Sequence, residues 1–296
     1  DDLKNLVTKM RPDVIVFEST TPVMKFYWRL IKKLKSDLPR TTIIMTGYHS
    51  MRKPEETLRE SPTDIVLQSN HVDFVLKKLI PCIDENINWR DQCPVEGLTV
   101  RRNDNDFYNT GSFKQIELLD LSPDIDRDLV QWEKYAYENG NFLQTPGVYA
   151  TSVIRDCMFG KCTFCRYNGP DLTFSMRSVK KSLDEYQRLI EDYGVREIFD
   201  DSGVWYRGLE ARQFAQGIIE RGLHKKDCYF GFNTRFGYLD EETLALLARA
   251  NFRFILVGLE ASDEETLDKL HKGYSPEDAE QNLRLYTKYG LFPHLT

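Results

Sequence analysis

Arg155-Asp156-Cys157-Met158-Phe159-Gly160-Lys161-Cys162-Thr163-Phe164-Cys165 sets three thiols five and three positions apart, directly after the β-branched run 148–154. A loop that leaves a strand of an α/β fold lies at the C-terminal face of the sheet, where such folds place their chemistry. Three thiolates on one loop can hold three irons of a [4Fe–4S] cluster and leave the fourth iron open to a non-protein ligand. Gly160 lets the backbone approach a bulky group, and Lys161 offsets thiolate charge. Two other readings stay open. A structural zinc wants four ligands, and the nearest further candidates, His224 and Cys228, belong to a later βα unit. The third reading is three reduced cysteines with no metal.

Outward from this loop, strands and helices alternate, which argues for α/β architecture with parallel strands. After it, the spacing predicts strands at 197–200, 229–233, 254–258 and from 291 onward. Between them, Val179, Leu183, Tyr186, Ile190 and Tyr193 form one helical face that ends at Gly194. Further helices are predicted from Asp240, from a capping box at Ser262 to Glu265, and from Ser275-Pro276 to Gly290. One helix per crossover suits an open or closed β/α barrel. Before the loop, strands are predicted at 14–17, 42–45 and 64–67. The helices among them run through Tyr27, Leu30, Ile31, Leu34 and Leu38, then over 54–59 and 73–80. Three strands make half of a doubly wound sheet. Residues 81–146 read as a structured connection, with a hairpin near 97–106 and a short helix over 124–137, because Trp89 and Trp132 would be odd in a disordered linker.

The bulk numbers exclude several classes. A chain of 296 residues is one large domain or two ordinary ones, and 41% hydrophobic with 29% charged residues is a globular balance. Forty Lys and Arg against 46 Asp and Glu give −6, so no broad basic footprint for nucleic acid is supplied. No apolar run approaches the ~18 residues of a membrane span. Six cysteines in this length are no disulfide scaffold, and Cys82, Cys93 and Cys228 read as structural.

The cysteine loop resembles the cluster-binding loop of radical S-adenosylmethionine (SAM) enzymes. Their usual spacing is C-x3-C-x2-C with an aromatic residue before the last Cys. Phe164 fills that place, and four residues rather than three separate Cys157 from Cys162. Glu197-Ile198-Phe199-Asp200-Asp201-Ser202-Gly203 is similar to the second-strand segment beside the SAM methionine moiety. Asn233-Thr234-Arg235 is similar to an N-x-R at the end of the third strand. Val257-Gly258-Leu259-Glu260-Ala261-Ser262 is similar to a fourth-strand G-x-E-S, and the stretch from Leu267 to Lys272-Gly273 also fits. The resemblance implies cluster ligands Cys157, Cys162 and Cys165, and SAM contacts from Phe164, Asp200, Asp201, Ser202, Asn233, Arg235 and Glu260. A strand-end Glu can accept from two ribose hydroxyls, and an Arg can pair with the methionine carboxylate.

Residues 11–70 resemble the later half of a cobalamin-binding domain. Pro12-Asp13 through Thr21-Pro22 and Thr46-Gly47-Tyr48-His49 carry the likeness, and Ser19, Thr20, Thr21 and Gly47 hold the places that border a corrinoid's nucleotide tail. No Asp-x-His-x-x-Gly segment supplies a lower cobalt ligand, and His49 reads as a hydrogen-bonded loop histidine. The fold expected is therefore a partial doubly wound, Rossmann-like domain of the B12-binding type over 1–80. A connection over 81–146 follows, then a C-terminally truncated radical SAM (β/α) barrel over 147–296, the whole a piece of a longer protein. The resemblance implies a cytoplasmic radical SAM enzyme that binds a [4Fe–4S] cluster, cleaves SAM to a 5′-deoxyadenosyl radical and carries out cobalamin-linked methyl transfer or oxidative cyclisation. A small-molecule substrate and a low-potential electron donor of flavodoxin or ferredoxin type are its implied partners. An inactive corrinoid-binding or regulatory module, and a zinc-stapled structural protein, are the alternatives.

Overall fold

The computed structural model describes residues 2–85, 88–113, 119–138, 140, 142–150, 154–155, 157–165, 167–168 and 174–296. The chain divides into two compact units, Asp1–Gln115 and Ile116–Thr296. In the first, the order is α1 (Asp2–Met10), β1 (Val14–Glu18), α2 (Met24–Asp37), β2 (Thr42–Thr46), α3 (Tyr48–Arg52), α4 (Pro54–Glu60), β3 (Ile65–Leu67), α5 (Val72–Asp84), β4 (Leu98–Arg101) and β5 (Phe107–Asn109). These strands form one mixed sheet in sequence order. β1, β2 and β3 are parallel; β4 and β5 are antiparallel.

Strand alternation explains why β2 is buried along its whole length. Ile43 and Met45 pack with Trp28, Ile31 and Leu34 of α2, whereas Ile44 packs with Val75 and Leu79 of α5. Helices thus cover both faces, as a continuous apolar run in a parallel strand requires. The stretch 81–146, expected as a structured connection, contributes elements to both units. Its hairpin extends the first sheet, because β4 pairs with β3, while Arg127, itself in the second unit, pairs with Glu185 there at 3.3 Å. The single helix expected over 124–137 is instead a 3₁₀ turn at Asp128–Val130 and one turn of helix, α6 (Glu133–Ala136). Gln131, with φ +53°, interrupts the run.

The second unit continues with β6 (Gly147–Ala150), β7 (Ile154–Arg155), β8 (Ser175–Met176), α7 (Val179–Glu191), β9 (Glu197–Asp200), α8 (Gly208–Glu220) and β10 (Tyr229–Thr234). It ends with α9 (Glu241–Arg249), β11 (Phe252–Val257), α10 (Glu264–Lys269), α11 (Pro276–Lys288) and β12 (Phe292–Leu295). Its main sheet is parallel throughout, in the order β12-β11-β10-β9-β6. Of the strand expected over 148–154, residues 151–153 lie outside the described residues; β6 covers its start, and β7 pairs with β8 in a two-stranded ribbon. Helix α10 opens on Asp263, whose side chain accepts from the Thr266 amide, so the cap sits one residue later than the box expected at Ser262. The box at Ser275 and Asp278 is present in full.

The two faces of this sheet carry different residues. Ile198, Phe230, Phe232, Ile255 and Val257 pack into the helix layer with Tyr186, Phe214 and Leu247. The opposite face carries an in-register row across all five strands: Tyr149, Phe199, Gly231, Phe254 and Phe292. Gly231 is needed there, since a Cβ would lie 2.8 Å from the Phe199 ring and 3.1 Å from the Phe254 Cβ. One pleat further toward the strand ends, on the same face, Asn233, Leu256 and His294 are in register. Asn233 and Leu256 of that pleat line the candidate site.

Candidate active site

The loops beyond β6, β9, β10 and β11 surround a cleft of about 430 Å³. Cys157, Cys162 and Cys165 all line it, with Phe164, Asp201, Asn233, Arg235 and Glu260. Eight of the ten residues singled out in this unit therefore converge. Cys82, Cys93 and Cys228 are buried elsewhere, and all six thiols are free.

The cysteine loop is held by backbone hydrogen bonds. The Cys165 amide donates to the Cys162 carbonyl at 3.1 Å, and the Thr163 amide reaches the Leu270 carbonyl at 3.2 Å, tying the loop to the end of α10. Gly160 has φ +57°, a conformation glycine adopts without penalty. Burial pushes the Cys162 thiol up; Lys272 and, more weakly, Arg235 pull it back. The cations thus favour the thiolate, the form that binds metal. Among the described residues, no three His, Cys, Asp or Glu are close enough to hold a single metal ion. His224 and Cys228, the spare ligands of the zinc reading, do not line the cleft. A polynuclear cluster differs, since each thiolate takes its own iron and the three need only face one space.

Asp200 and Ser202 do not join the cleft. Asp200 points the other way along β9, into the helix layer, where it is fully buried. It accepts from the Ser202 amide at 3.0 Å, from the Ser202 hydroxyl and from the Tyr186 hydroxyl at 3.4 Å. Burial pushes its carboxyl up to about 7. Successive residues of a strand face opposite sides, so of the adjacent pair only Asp201 can look into the cleft. The Asn233 amide nitrogen fixes that turn, donating to Asp201 Oδ1 at 3.1 Å and to the Ser202 carbonyl at 3.0 Å.

Arg235 is 8% exposed and has no carboxylate partner among the described residues. Its guanidinium stands 3.6 Å from the centre of the Phe159 ring and donates to the Lys272 carbonyl. A buried guanidinium with an aromatic seat and no counter-ion suits an anionic ligand group. Glu260, at φ +64°, meets Lys272, whose Nζ lies 3.3 Å from Glu260 Oε1. Lys272, Tyr274 and Phe159 were not singled out as site residues. Only the Lys272-Gly273 pair after a helix end hinted at one of them, and lysine is rarely buried enough to be expected inside. The cleft therefore offers three thiols, two buried cations, two carboxylates beyond strand ends (Asp201 and Glu260) and an aromatic wall, a donor set that fits a thiolate-held cluster beside an anionic, hydroxylated ligand.

In the first unit, Ser19, Thr20, Thr21 and Gly47 meet at the ends of β1 and β2. The Ser19 amide donates to the Thr46 carbonyl at 3.1 Å, and its hydroxyl to Met24 Sδ at 2.6 Å. Thr21 Oγ1 is 3.2 Å from His49 Nδ1, so the histidine is hydrogen-bonded as expected, but it lies in α3 and not in a loop. Gly47, at φ +91°, lies so close that a Cβ would meet Ser19 backbone atoms at 2.3 and 2.6 Å. Thr20 and Thr21 are exposed, and Ser19 is not. These residues fit a polar ligand edge only through the two threonines.

Residues 151–296 match the sequence profile of the Radical SAM superfamily. The chain is 25% identical over 296 residues to the anaerobic magnesium-protoporphyrin IX monomethyl ester cyclase of Rubrivivax gelatinosus, covering 98% of this chain and 51% of that protein. It is 24% identical to an uncharacterized methyltransferase of Pyrococcus horikoshii, covering 98% of this chain and 61% of that protein. The chain thus spans about half the length of the curated relatives it matches, from 47% to 61%. Among solved structures it resembles the radical SAM methyltransferase TsrM of Kitasatospora setae, seen with cobalamin and a [4Fe–4S] cluster. The TM-score is 0.79 at 16% identity, over 100% of this chain and 60% of that one. The cobalamin-dependent SAM radical enzyme OxsB gives 0.76 at 17%, over 99% and 42%. At these identities the likeness is one of fold: an α/β chain with one mixed and one parallel sheet. No helix among the described residues is long and apolar enough to cross a membrane.

Proposed function

The chain belongs to the Radical SAM superfamily through residues 151–296, and on that premise we propose that Cys157, Cys162 and Cys165 hold three irons of a [4Fe–4S] cluster beside a bound SAM. In this reading the second unit is a partial (β/α) barrel and the first a partial Rossmann-like domain of the cobalamin-binding type. When bound, the cluster and SAM supply reductive cleavage to a 5′-deoxyadenosyl radical, and a corrinoid supplies a methyl carrier. Arg235 pairs with the SAM carboxylate, Glu260 accepts from the ribose hydroxyls, and Asn233 holds Asp201 at the methionine end. Phe164 and Phe159 exclude water from the thiolates. Thr20 and Thr21, with Gly47 and the buried Ser19 beneath them, border the corrinoid. The reaction is methyl transfer or oxidative cyclisation of a small molecule, in the cytoplasm, with electrons from a flavodoxin- or ferredoxin-type donor.

The observation that carries the reading is the convergence of three thiols, two buried cations and two carboxylates on one cleft, from separate loops. The test is anaerobic reconstitution with iron and sulfide, then metal analysis and EPR of the reduced protein with and without SAM. About four irons per chain and a signal that SAM alters support it. Stoichiometric zinc, or a signal indifferent to SAM, sinks it.

A further inference from the structure

We propose that Lys272 is a positioning residue for Glu260, and that Gly258 is the notch that lets the two meet. The proposal rests on the SAM-binding reading above and assigns a role that reading leaves empty. Lys272 follows the end of α10, where His271 (φ +55°) and Gly273 (φ +65°) reverse the chain and send its side chain into the cleft. The side chain is 7% exposed, and Glu260 Oε1, at 3.3 Å, is its ion-pair partner among the described residues. The lysine backbone is occupied as well, because its carbonyl takes the Arg235 guanidinium. One residue therefore fixes the two groups assigned to opposite ends of SAM.

Glu260 needs this help. A non-glycine residue at positive φ is strained, by an amount on the order of 1–3 kcal/mol, and is held so only by its surroundings. The Glu260 amide donates to the Thr296 carbonyl at 3.0 Å. The Tyr274 hydroxyl lies 2.8 and 2.7 Å from the carbonyls of Gly258 and Leu259, sharing its hydrogen between them just before the turn. The backbone is thereby set, but a carboxylate still has free side-chain torsions, and the Lys272 ammonium removes that freedom. Gly258 explains how the pair fits. A Cβ there would lie 2.5 Å from Glu260 Oε1 and 3.2 Å from Lys272 Nζ. Both are ends of flexible side chains, and Gly258 has no positive φ, so alanine would displace the pair while the fold persists.

The test is equilibrium binding of S-adenosylhomocysteine and its 2′,3′-dideoxyribose analogue to the reconstituted protein, its Lys272→Met, Lys272→Arg, Gly258→Ala and Glu260→Gln variants, and the Lys272→Met/Glu260→Gln double variant. Wild type is expected to prefer the ribose ligand by roughly 10- to 100-fold, the range of a hydrogen bond to a charged group. Lys272→Met and Gly258→Ala should lose most of that preference, with affinity for the dideoxy analogue little changed, and Lys272→Arg should recover part of it. The double variant should bind as Glu260→Gln alone does, since a residue acting through Glu260 has nothing left to position. Equal weakening for both ligands, or additive losses in the double variant, overturns the role of Lys272. Failure of the wild-type protein to bind either ligand instead overturns the SAM reading, and the proposal with it.

Discussion

The two groups of candidate residues, one in each unit, sit at the same place in an α/β fold, beyond the C-terminal ends of parallel strands, yet they are built in opposite ways. In the second unit the polar groups are left facing a cleft. Among the described residues Arg235 is buried without a counter-ion and the three thiols are unbridged, while Lys272 pairs with Glu260 and Asn233 with Asp201. In the first unit the protein satisfies its own groups: Ser19 on Met24, Thr21 on His49, and Gly47 packed against the Ser19 backbone. Unmet polar groups in a low-dielectric setting cost free energy, and a site keeps them because a ligand will meet them. The second unit is thus the half whose chemistry its own side chains already announce. The first offers shape and two exposed threonine hydroxyls.

The largest expected effect tests that contrast directly. Replacing any one of Cys157, Cys162 or Cys165 by alanine should drop iron retained after anaerobic reconstitution from about four per chain to a small fraction. Alanine at Cys82, Cys93 or Cys228, all buried away from the cleft, should leave it unchanged. Iron lost equally through the second set would break the assignment of the ligands to the loop.

Next come the two glycines. At Gly47 a methyl would meet backbone atoms, in a φ, ψ region (+91°, 165°) almost closed to other residues. Gly47→Ala should therefore lower stability by about 2 kcal/mol or more in urea unfolding followed by circular dichroism. Gly258→Ala, which meets only side-chain ends, should stay within roughly 1 kcal/mol of wild type. The reverse order would mean that the second cleft, and not the first, is the rigidly packed one.

Much of this difference was legible in the sequence. The cysteine spacing, the strand-end motifs and most strands stand where periodicity and the resemblance put them. The misses have physical causes. Asp200 and Asp201 look alike in the chain, and only strand register turns one inward and one out. Helix α8 escaped the reading because Arg207 provides no side-chain cap and Gly208 opens it. Its Gly217 reads as a breaker, although its lack of a Cβ is what makes room for Leu183. Lys272 escaped because its burial depends on Glu260, twelve residues earlier and across a turn. Helix 124–137 was over-read from composition, where tertiary contacts such as Trp132 on Tyr193 govern.

A third prediction concerns pH. Burial raises Asp200 to about 7 in the folded chain, above the ~3.9 of an unfolded aspartate. Between those values the folded state binds the extra proton, so stability from this group is full below about pH 4 and is lost as pH rises through about 7. Asp200→Asn should remove that slope. Its unfolding free energy in urea relative to wild type should climb between pH 4 and 7 and then level, by about a few kcal/mol at most. A difference that does not vary with pH would place the carboxylate's proton elsewhere.

The smallest effect sharpens the first unit. If its threonines border a corrinoid, titration with aquocobalamin followed by absorbance should show Thr20→Val and Thr21→Val weakening binding about fivefold each, the worth of one neutral hydrogen bond of ~1 kcal/mol. Ser19→Ala should not weaken it, because the Ser19 hydroxyl is already given to Met24 and is turned away from solvent. Thr21 carries an added consequence. Its Oγ1 also meets His49 Nδ1, so the valine variant frees the imidazole, which Glu56 faces at 3.9 Å from Nε2. A loss larger at Thr21 than at Thr20 would therefore report the histidine as well as the missing hydroxyl, and His49→Gln would separate the two. A dominant loss at Ser19 would reverse the comparison, showing that the buried hydroxyl turns outward when ligand binds.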